Sequence, residues 1–277
     1  MTCKIRTADA YVSLAVLGAA VLLSEATRAA AARLLSGVHR TRVLEAASTF
    51  QLCCCTHELK LLGEAAPLAP PLGLALTYAV TVVHLGTFRG ATCSPIGAAE
   101  SVCRGKSGAA AAAALVACQF AAAVAAQFFA TAVWSLGLSE VHVRHQRFGF
   151  RCFDPLGGTL REAAAVELGC AFAVQAAAMH AGALDEKLRA HFLAAVITAV
   201  VYAGGGISGA VFNPVLAFSV QFPCSGHTYP EYCFVYWLGP VLGVASCVLL
   251  FEKVVPFLSG KTPVGPDVPV VQKEKTR

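Results

Sequence analysis

The sequence predicts an all-α membrane protein, and three features support that prediction. Of its 277 residues, 57% are hydrophobic and 13% are charged, whereas soluble domains carry about 25% charged residues. Several apolar runs are long enough to cross a bilayer as helices. A glycine-rich segment that ends in Asn213 and Pro214 lies between two of these runs. This is the pattern expected where a helix is broken inside a membrane.

The glycine-rich segment predicts a helix, a loop and then a short helix. The first helix is expected to run through residues 196–202, the loop to begin at residue 204, and the short helix to extend from Pro214 to about Val220. Asn213, the only asparagine in the chain, is a preferred N-cap, and proline suits a first helical turn. Because membrane-type sequence surrounds it, the short helix is expected to point its positive N-terminal end into a cavity.

The same pattern occurs in the first half of the chain. Residues 90–95 and 209–214 both read Gly-Ala-x-x-[Ser/Asn]-Pro. Serine can replace asparagine as an N-cap because both side chains offer an oxygen acceptor. A second short helix is therefore predicted after Ser94. The matched positions are Ser94, Pro95 and Ile96 in the first copy and Asn213, Pro214 and Val215 in the second.

Each half of the chain also carries one carboxylate at a similar place in an apolar helix. Glu45 lies 49 residues before Ser94, and Glu167 lies 46 residues before Asn213. A carboxylate inside a membrane is costly and indicates a special role. We expect both to accept hydrogen bonds from loop backbone rather than to carry protons. Each half has an odd number of spanning helices around its short helix, so the halves are predicted to be inverted repeats.

The remaining elements follow from the apolar runs and their breaks. An extra N-terminal helix is expected before the repeat, and a polar loop divides the two halves. The expected helices cover residues 11–23, 43–62, 72–85, 109–136, 163–180 and 192–202, and a last helix opens at Cys233. Loops are expected at residues 67–71 and 142–154, and a charged turn at residues 185–191.

The repeated motifs resemble those of the aquaporin family. Residues 208–214 read Ser-Gly-Ala-Val-Phe-Asn-Pro, similar to the second signature loop of aquaporins, although Val215 and Leu216 replace the alanine and arginine that follow there. A threonine four residues after Glu45 and the Trp-Leu-Gly-Pro sequence from Trp237 are similar to aquaporin motifs as well. The resemblance covers roughly residues 43–256 and points to the unorthodox, intracellular branch of the family.

The resemblance implies an architecture and a division of the chain. The fold would be an aquaporin fold, with six transmembrane helices plus two re-entrant half-helices in inverted repeats, and the assembly a homotetramer in the lipid bilayer. Residues 1–41 would be an extra N-terminal helix and a basic linker, and residues 42–258 the channel domain. Its first half would cover residues 42–137 and its second half residues 160–258. Residues 259–277 would be a disordered cytosolic tail.

The resemblance also implies which residues line the pore. Ser94 and Asn213 would contact a neutral permeant where the positive ends of the two half-helices meet. The narrow selectivity filter of the family would fall at Leu74, Val201, Ala210 and Leu216. All four side chains are apolar and none is large, and the usual arginine is absent because Leu216 stands at its position. The filter is therefore expected to be wide and weakly polar.

The cysteines are mostly in apolar segments, where a free thiol behaves as a small hydrophobe. Cys224 is different, because it lies in a loop, eleven residues after Asn213. The unorthodox aquaporins that the chain resembles have a cysteine at the same distance from this asparagine. We expect Cys224 to act in folding or subunit assembly. Cys53 and His57 share a helix face, but two ligands make a poor zinc site, so no metal is expected.

The C-terminus contains a sequence similar to a sorting signal. It ends Lys273-Glu-Lys275-Thr-Arg, which resembles the Lys-x-Lys-x-x retrieval signal of endoplasmic-reticulum membrane proteins. Such a signal acts in the cytosol, so it predicts a multi-pass protein of that membrane with a cytosolic C-terminus. The basic loop from Arg144 to Arg151 then falls on the lumenal side, against the usual bias of basic loops.

These features favour a passive channel for water and small neutral solutes such as glycerol and hydrogen peroxide. The alternative is a closed-pore protein of the same fold with a structural or regulatory role, because Ser94 and Leu216 depart from the motifs. The sequence holds no Ser/His/Asp, metal or phosphate-loop constellation, so we expect neither an enzyme nor a cofactor. The net charge of +5 is spread over loops, which argues against a nucleic-acid partner.

Overall fold

A computed structural model describes residues 7–65 and 70–259, and within these ranges the chain is all-α. Residues 67–69 of the predicted loop and the tail residues 260–277, including Lys273 and Lys275, lie outside the described ranges. The helices are α1 (Thr7–Leu34), α2 (Gly37–Ala65), α3 (Pro70–Thr87), α4 (Pro95–Cys103), α5 (Ala109–Ser135), α6 (Glu140–Arg147), α7 (Leu160–His180), α8 (Glu186–Ser208), α9 (Pro214–Val220) and α10 (Tyr229–Leu258).

Five of the described helices, namely α1, α5, α7, α8 and α10, are long and apolar enough to cross a membrane. Helix α3 is apolar but shorter, and α2 is as long as the others but carries more polar residues. The first half of the repeat consists of α2, α3, α4 and α5, and the second half of α7, α8, α9 and α10. In each half, one short helix therefore lies between the second and third long helices.

The extra N-terminal helix α1 is longer than expected and packs against α2. Only residues 35 and 36 separate the two helices, so the expected basic linker is largely helical. Arg28 is fully buried rather than exposed, and it donates hydrogen bonds to Gln51 Oε1 at 2.6 Å and to Ser48 Oγ at 3.4 Å. At the other end of α1, Ser13 Oγ donates to Glu58 Oε1 at 2.6 Å. Buried polar groups need partners, and these bonds attach α1 along the length of α2.

The glycine-rich segment is not the loop that the sequence predicted. Helix α8 continues through Gly204, Gly205 and Gly206 and ends at Ser208. A Cβ on Gly204 would lie 2.6 Å from Val166 Cγ1, so this glycine permits close packing of α8 on α7. The helix ends where Gly209 takes a φ of 80°, a left-handed conformation that glycine adopts without steric cost.

Three other predicted loops are also partly helical. Pro70 and Pro71 begin α3, because proline is tolerated in a first turn. The charged turn at residues 185–191 is the first part of α8, which starts after Asp185. The polar loop at residues 142–154 overlaps α6, whose N-cap Ser139 accepts a hydrogen bond from His142 N at 3.2 Å. Polar residues at helix ends and caps resemble those of loops, and for this reason the sequence predicted loops where the helices begin.

The apolar core surrounds the second short helix. Helix α9 is almost completely buried, and Val215 and Ala217 have no exposed surface. Side chains from α2, α5 and α10 pack around it. Helix α10 reaches α7 closely because a Cβ on its Gly239 would lie 2.8 Å from Ala164 O, and glycine lets membrane helices approach. The core therefore fixes α9 in the middle of the bundle.

Candidate functional site

The first short helix, α4, begins as the sequence predicts, at a serine cap. Ser94 is the N-cap with extended backbone (φ −147°, ψ 133°), and Pro95 occupies the first turn. Ser94 Oγ accepts a hydrogen bond from Ile96 N at 3.3 Å. Cys93, immediately before the cap, has a φ of 49°, which is uncommon for a residue other than glycine. The chain thus turns sharply into the helix.

The second short helix, α9, begins in the same way. Asn213 is the N-cap (φ −143°, ψ 114°) and its Oδ1 accepts from Val215 N at 3.1 Å and from Leu216 N at 3.5 Å. Its side-chain nitrogen Nδ2 donates to the main-chain carbonyl of Cys93 at 2.7 Å. This bond joins the starts of the two short helices, which we call the half-helix junction. The positive ends of both helices therefore lie together.

Glu45 lies behind the first turn into the junction. Glu45 is 3% exposed, and its carboxylate accepts hydrogen bonds from Thr92 N at 3.1 Å and from Cys93 N at 2.7 Å. The Thr92 hydroxyl and Gln119 Nε2 also donate to it, at 2.9 Å and 2.7 Å. Two of these four donors are backbone N–H groups of a loop, which have no partner in a helix or sheet. The buried carboxylate supplies the hydrogen-bond acceptor that they need.

Glu167 has the same position behind the second turn. It is fully buried and accepts from Ser208 Oγ at 2.6 Å, from Val211 N at 3.0 Å and from Phe212 N at 2.5 Å. Phe212 and Ala210 have φ angles of 38° and 46°. Such conformations cost free energy and persist only where surrounding contacts hold them. Glu45 supplies such contacts in the first half of the chain, and Glu167 supplies them in the second.

The four side chains of the expected filter do not share one environment. Ala210 and Leu216 are 4% and 9% exposed, whereas Leu74 and Val201 are half-buried. Leu216 belongs to the apolar core around α9. None of the four side chains can donate or accept a strong hydrogen bond. Any aperture that they form is apolar.

Polar side chains of α2 and α5 hold the far end of α9, and the sequence reasoning missed them. Lys60 Nζ donates to Val220 O at 2.7 Å and to Gln221 Oε1 at 2.5 Å. Gln127 Nε2 donates to Ser219 O at 2.9 Å.

His57, the candidate metal ligand of the sequence, has its Nε2 3.0 Å from the Ser219 hydroxyl. A cation at a helix C-terminus stabilises the helix dipole. Polar residues on one face of an otherwise apolar helix were the sequence feature that could have indicated these contacts.

A disulfide joins Cys152 to Cys224, 72 residues apart. It connects the loop after α6 to the segment that follows α9. The sequence reasoning identified Cys224 but not its partner. The signal was present, because Cys152 also lies outside the apolar runs. Ser225 N donates to Cys152 O at 3.2 Å, so hydrogen bonding also pairs these two segments.

A bundle of apolar helices in which two short helices meet N-terminus to N-terminus is the architecture of a membrane channel with re-entrant half-helices. The chain is 39% identical over 251 residues to human aquaporin-11, covering 90% of this chain and 92% of that protein. It belongs to the aquaporin family, and the predicted aquaporin fold is confirmed. It is accordingly a membrane channel for water or small solutes and not an enzyme.

Other comparisons agree with this assignment. The chain is 38% identical to horse aquaporin-11, over 90% of this chain and 92% of that one. It is 32% identical to mouse aquaporin-12, over 84% of this chain and 82% of that one. The X-ray structure of the aquaglyceroporin from Plasmodium falciparum superposes with a TM-score of 0.62 at 14% identity, over 80% of this chain and 99% of that one. No model of a known protein family matches the chain.

Proposed function

We propose that the protein is a passive channel that conducts water and small neutral solutes, including glycerol and hydrogen peroxide. The observation that supports this most strongly is the half-helix junction, where Asn213 Nδ2 bonds to Cys93 O at 2.7 Å. An amide nitrogen carries two hydrogens, so one remains to donate to a permeant. The two positive helix ends at the same place disfavour cations and protons.

The composition of the expected filter favours solutes larger than water. Leu74, Val201, Ala210 and Leu216 present only aliphatic groups, and the guanidinium that aquaporins usually place at position 216 is missing. Because the aperture lacks this long side chain, it is wider, and solutes larger than water fit through it. Glycerol and hydrogen peroxide are therefore the permeants that we expect beside water.

One observation favours a second candidate, a closed-pore protein with a structural or regulatory role. Side chains that line an open pore are exposed to water in the pore, yet Ala210 and Leu216 are almost completely buried. If these residues seal the passage between the half-helix junction and the membrane surface, the fold is retained without conduction.

The deciding experiment compares liposomes that contain the purified protein with empty liposomes. Water flux is measured by osmotic shrinkage, glycerol flux by re-swelling, and peroxide flux with an enclosed reporter dye. We expect all three fluxes to exceed those of empty vesicles. Fluxes equal to those of empty vesicles for all three solutes, with correctly folded protein, would establish the closed-pore candidate.

We propose the endoplasmic-reticulum membrane as its location, with the C-terminus in the cytosol and the chain assembled as a homotetramer. The disulfide supports this orientation, because disulfides persist in oxidising compartments such as that lumen. Cys224 precedes α10, which is long enough to cross the membrane, so the end of α10 faces the opposite side. The retrieval motif at Lys273 and Lys275 would then face the cytosol. Protease protection of tagged termini in microsomes tests the orientation, and cross-linking tests the tetramer.

A further inference from the structure

A cavity of about 180 Å³ lies beside the disulfide and apart from the half-helix junction. It is bounded by α2, α5, the segment after α6 and the end of α9, and its lining includes Lys60, Glu64, Gln127, Trp134, His145 and Cys152. Burial, together with the neighbouring His142, lowers the pKa of His145. The walls of the cavity are more apolar than polar; the cavity is partly open to solvent and large enough for a molecule of a few heavy atoms.

The two cysteines of the disulfide differ in exposure. Cys152 is half-buried and lines the cavity, whereas Cys224 is 5% exposed. A nucleophile that enters the cavity therefore reaches Cys152 before Cys224. This difference determines which sulfur would be attacked and which would leave.

The departing sulfur has a cation beside it. Lys60 Nζ lies 3.3 Å from Cys224 Sγ while it donates to Val220 O and Gln221 Oε1. Thiol–disulfide exchange is faster when the leaving thiolate is stabilised. An ammonium group at this distance stabilises a thiolate, since a nearby cation lowers the pKa of a cysteine thiol.

We propose that the cavity is a thiol–disulfide exchange site for a small thiol. The thiolate of the small molecule attacks Cys152 Sγ and forms a mixed disulfide with it, and the Cys152–Cys224 bond breaks. Its electron pair leaves on Cys224 Sγ as a thiolate, which Lys60 stabilises. The small thiol is the reductant, and Cys224 is reduced from disulfide to thiolate.

The surrounding contacts make the exchange reversible. Ser225 N donates to Cys152 O, and His227 Nε2 lies 3.2 Å from Asp154 Oδ2. Neither contact requires the disulfide, so both hold the two segments together after it opens. The Cys224 thiolate can therefore attack Cys152 Sγ again, expel the small thiol and restore the original bond.

The first experiment locates the attack. The full-length protein in liposomes is exposed to excess 2-mercaptoethanol, quenched with acid, unfolded, and alkylated with N-ethylmaleimide at mildly acidic pH. Peptide mass spectrometry is expected to find mercaptoethanol on Cys152 and N-ethylmaleimide on Cys224. The opposite assignment, or two free thiols in the untreated protein, would overturn the proposal.

The second experiment tests the cation. Lys60→Met should slow the exchange by about tenfold, the effect of a modest loss of transition-state stabilisation, and Lys60→Arg should retain most of the rate. Thr131→Val is the matched control, since Thr131 lines the same cavity and its hydroxyl donates to Gln127 O within its own helix; its exchange rate should equal that of the wild type. An unchanged rate in folded Lys60→Met would contradict the proposal. If Lys60→Met does not fold, the cysteine that carries mercaptoethanol in the wild-type protein still decides whether the proposal holds.

Discussion

The side-chain amide of Asn213 donates a hydrogen bond to the main-chain carbonyl of Cys93 across 2.7 Å. The two residues are 120 positions apart in the chain and lie at the start of different short helices. Each short helix is reached through a left-handed residue, Cys93 in one half and Phe212 in the other. Both of these residues donate their backbone N–H to a buried glutamate. The junction is thus one hydrogen-bonded unit built from both halves.

Asn213→Ser should weaken this unit while keeping a cap on α9. A serine hydroxyl can still accept from the first turn, but it does not reach Cys93 O. Leaving that carbonyl without its partner should cost about 1–3 kcal/mol. We expect a lower unfolding temperature in detergent and a reduced water flux in liposomes. Ser94→Thr, which keeps the cap of α4, is the control, and equal stability of Asn213→Ser and wild type would contradict the assignment.

Glu167→Gln should destabilise the second turn without changing the pH dependence of flux. Gln retains one acceptor oxygen for three donors, and its NH2 group faces backbone N–H groups, so a loss of about 1–3 kcal/mol is expected. Glu45→Gln is the matched variant in the first half and should behave alike. If either variant folded normally but lost a pH-dependent step in transport, the carboxylate would be carrying protons.

Cys224→Ser should reduce stability and the yield of assembled oligomer. In the chain-entropy relation, a disulfide that closes a loop of this length stabilises the protein by about 4 kcal/mol. Cys152→Ser removes the same bond and should have the same effect on native gels and on the unfolding temperature. Normal assembly combined with lost transport would instead indicate a role for Cys224 in the pore.

Leu216→Arg should change the selectivity of the channel. Arginine is longer, charged and rich in donors, so it would narrow the filter and make it more polar. Glycerol and peroxide fluxes should fall more than water flux, because an added barrier of about 1.4 kcal/mol slows a permeant tenfold. Equal yield and oligomer size are required first, since a buried unpaired charge destabilises. A folded variant with the wild-type ratio of glycerol to water flux would remove Leu216 from the filter.

Replacing both Lys273 and Lys275 with serine should move the protein toward the cell surface. The change removes both lysines of the retrieval motif and leaves the described bundle untouched. Surface biotinylation measures the shift, and Thr276→Ser, which keeps both lysines, is the control. An intracellular distribution that does not change would show that the tail is not the signal.

The repeat was visible in the sequence because its chemistry is local. A cap residue followed by proline, an isolated glutamate and an apolar run are each decided by neighbours within a few turns. For that reason Ser94, Asn213, Glu45 and Glu167 were identified, and the family followed from them. The ends of helices were less predictable, as Gly204 shows. Glycine is a helix breaker by local propensity, and the close packing of α8 on α7 overrides that preference.

Sequence alone therefore determined the class of protein, the two short helices and the family, since hydrophobic length and capping are properties of single segments. Tertiary structure alone decided which distant groups meet. No spacing rule connects Asn213 to Cys93, Cys152 to Cys224, or Lys60 to the end of α9. These pairs depend on how inverted halves fold around one another, and each partner carries an ordinary residue type that many other positions share. The buried hydrogen bonds of Arg28 are a further example. They form only because α1 packs against α2.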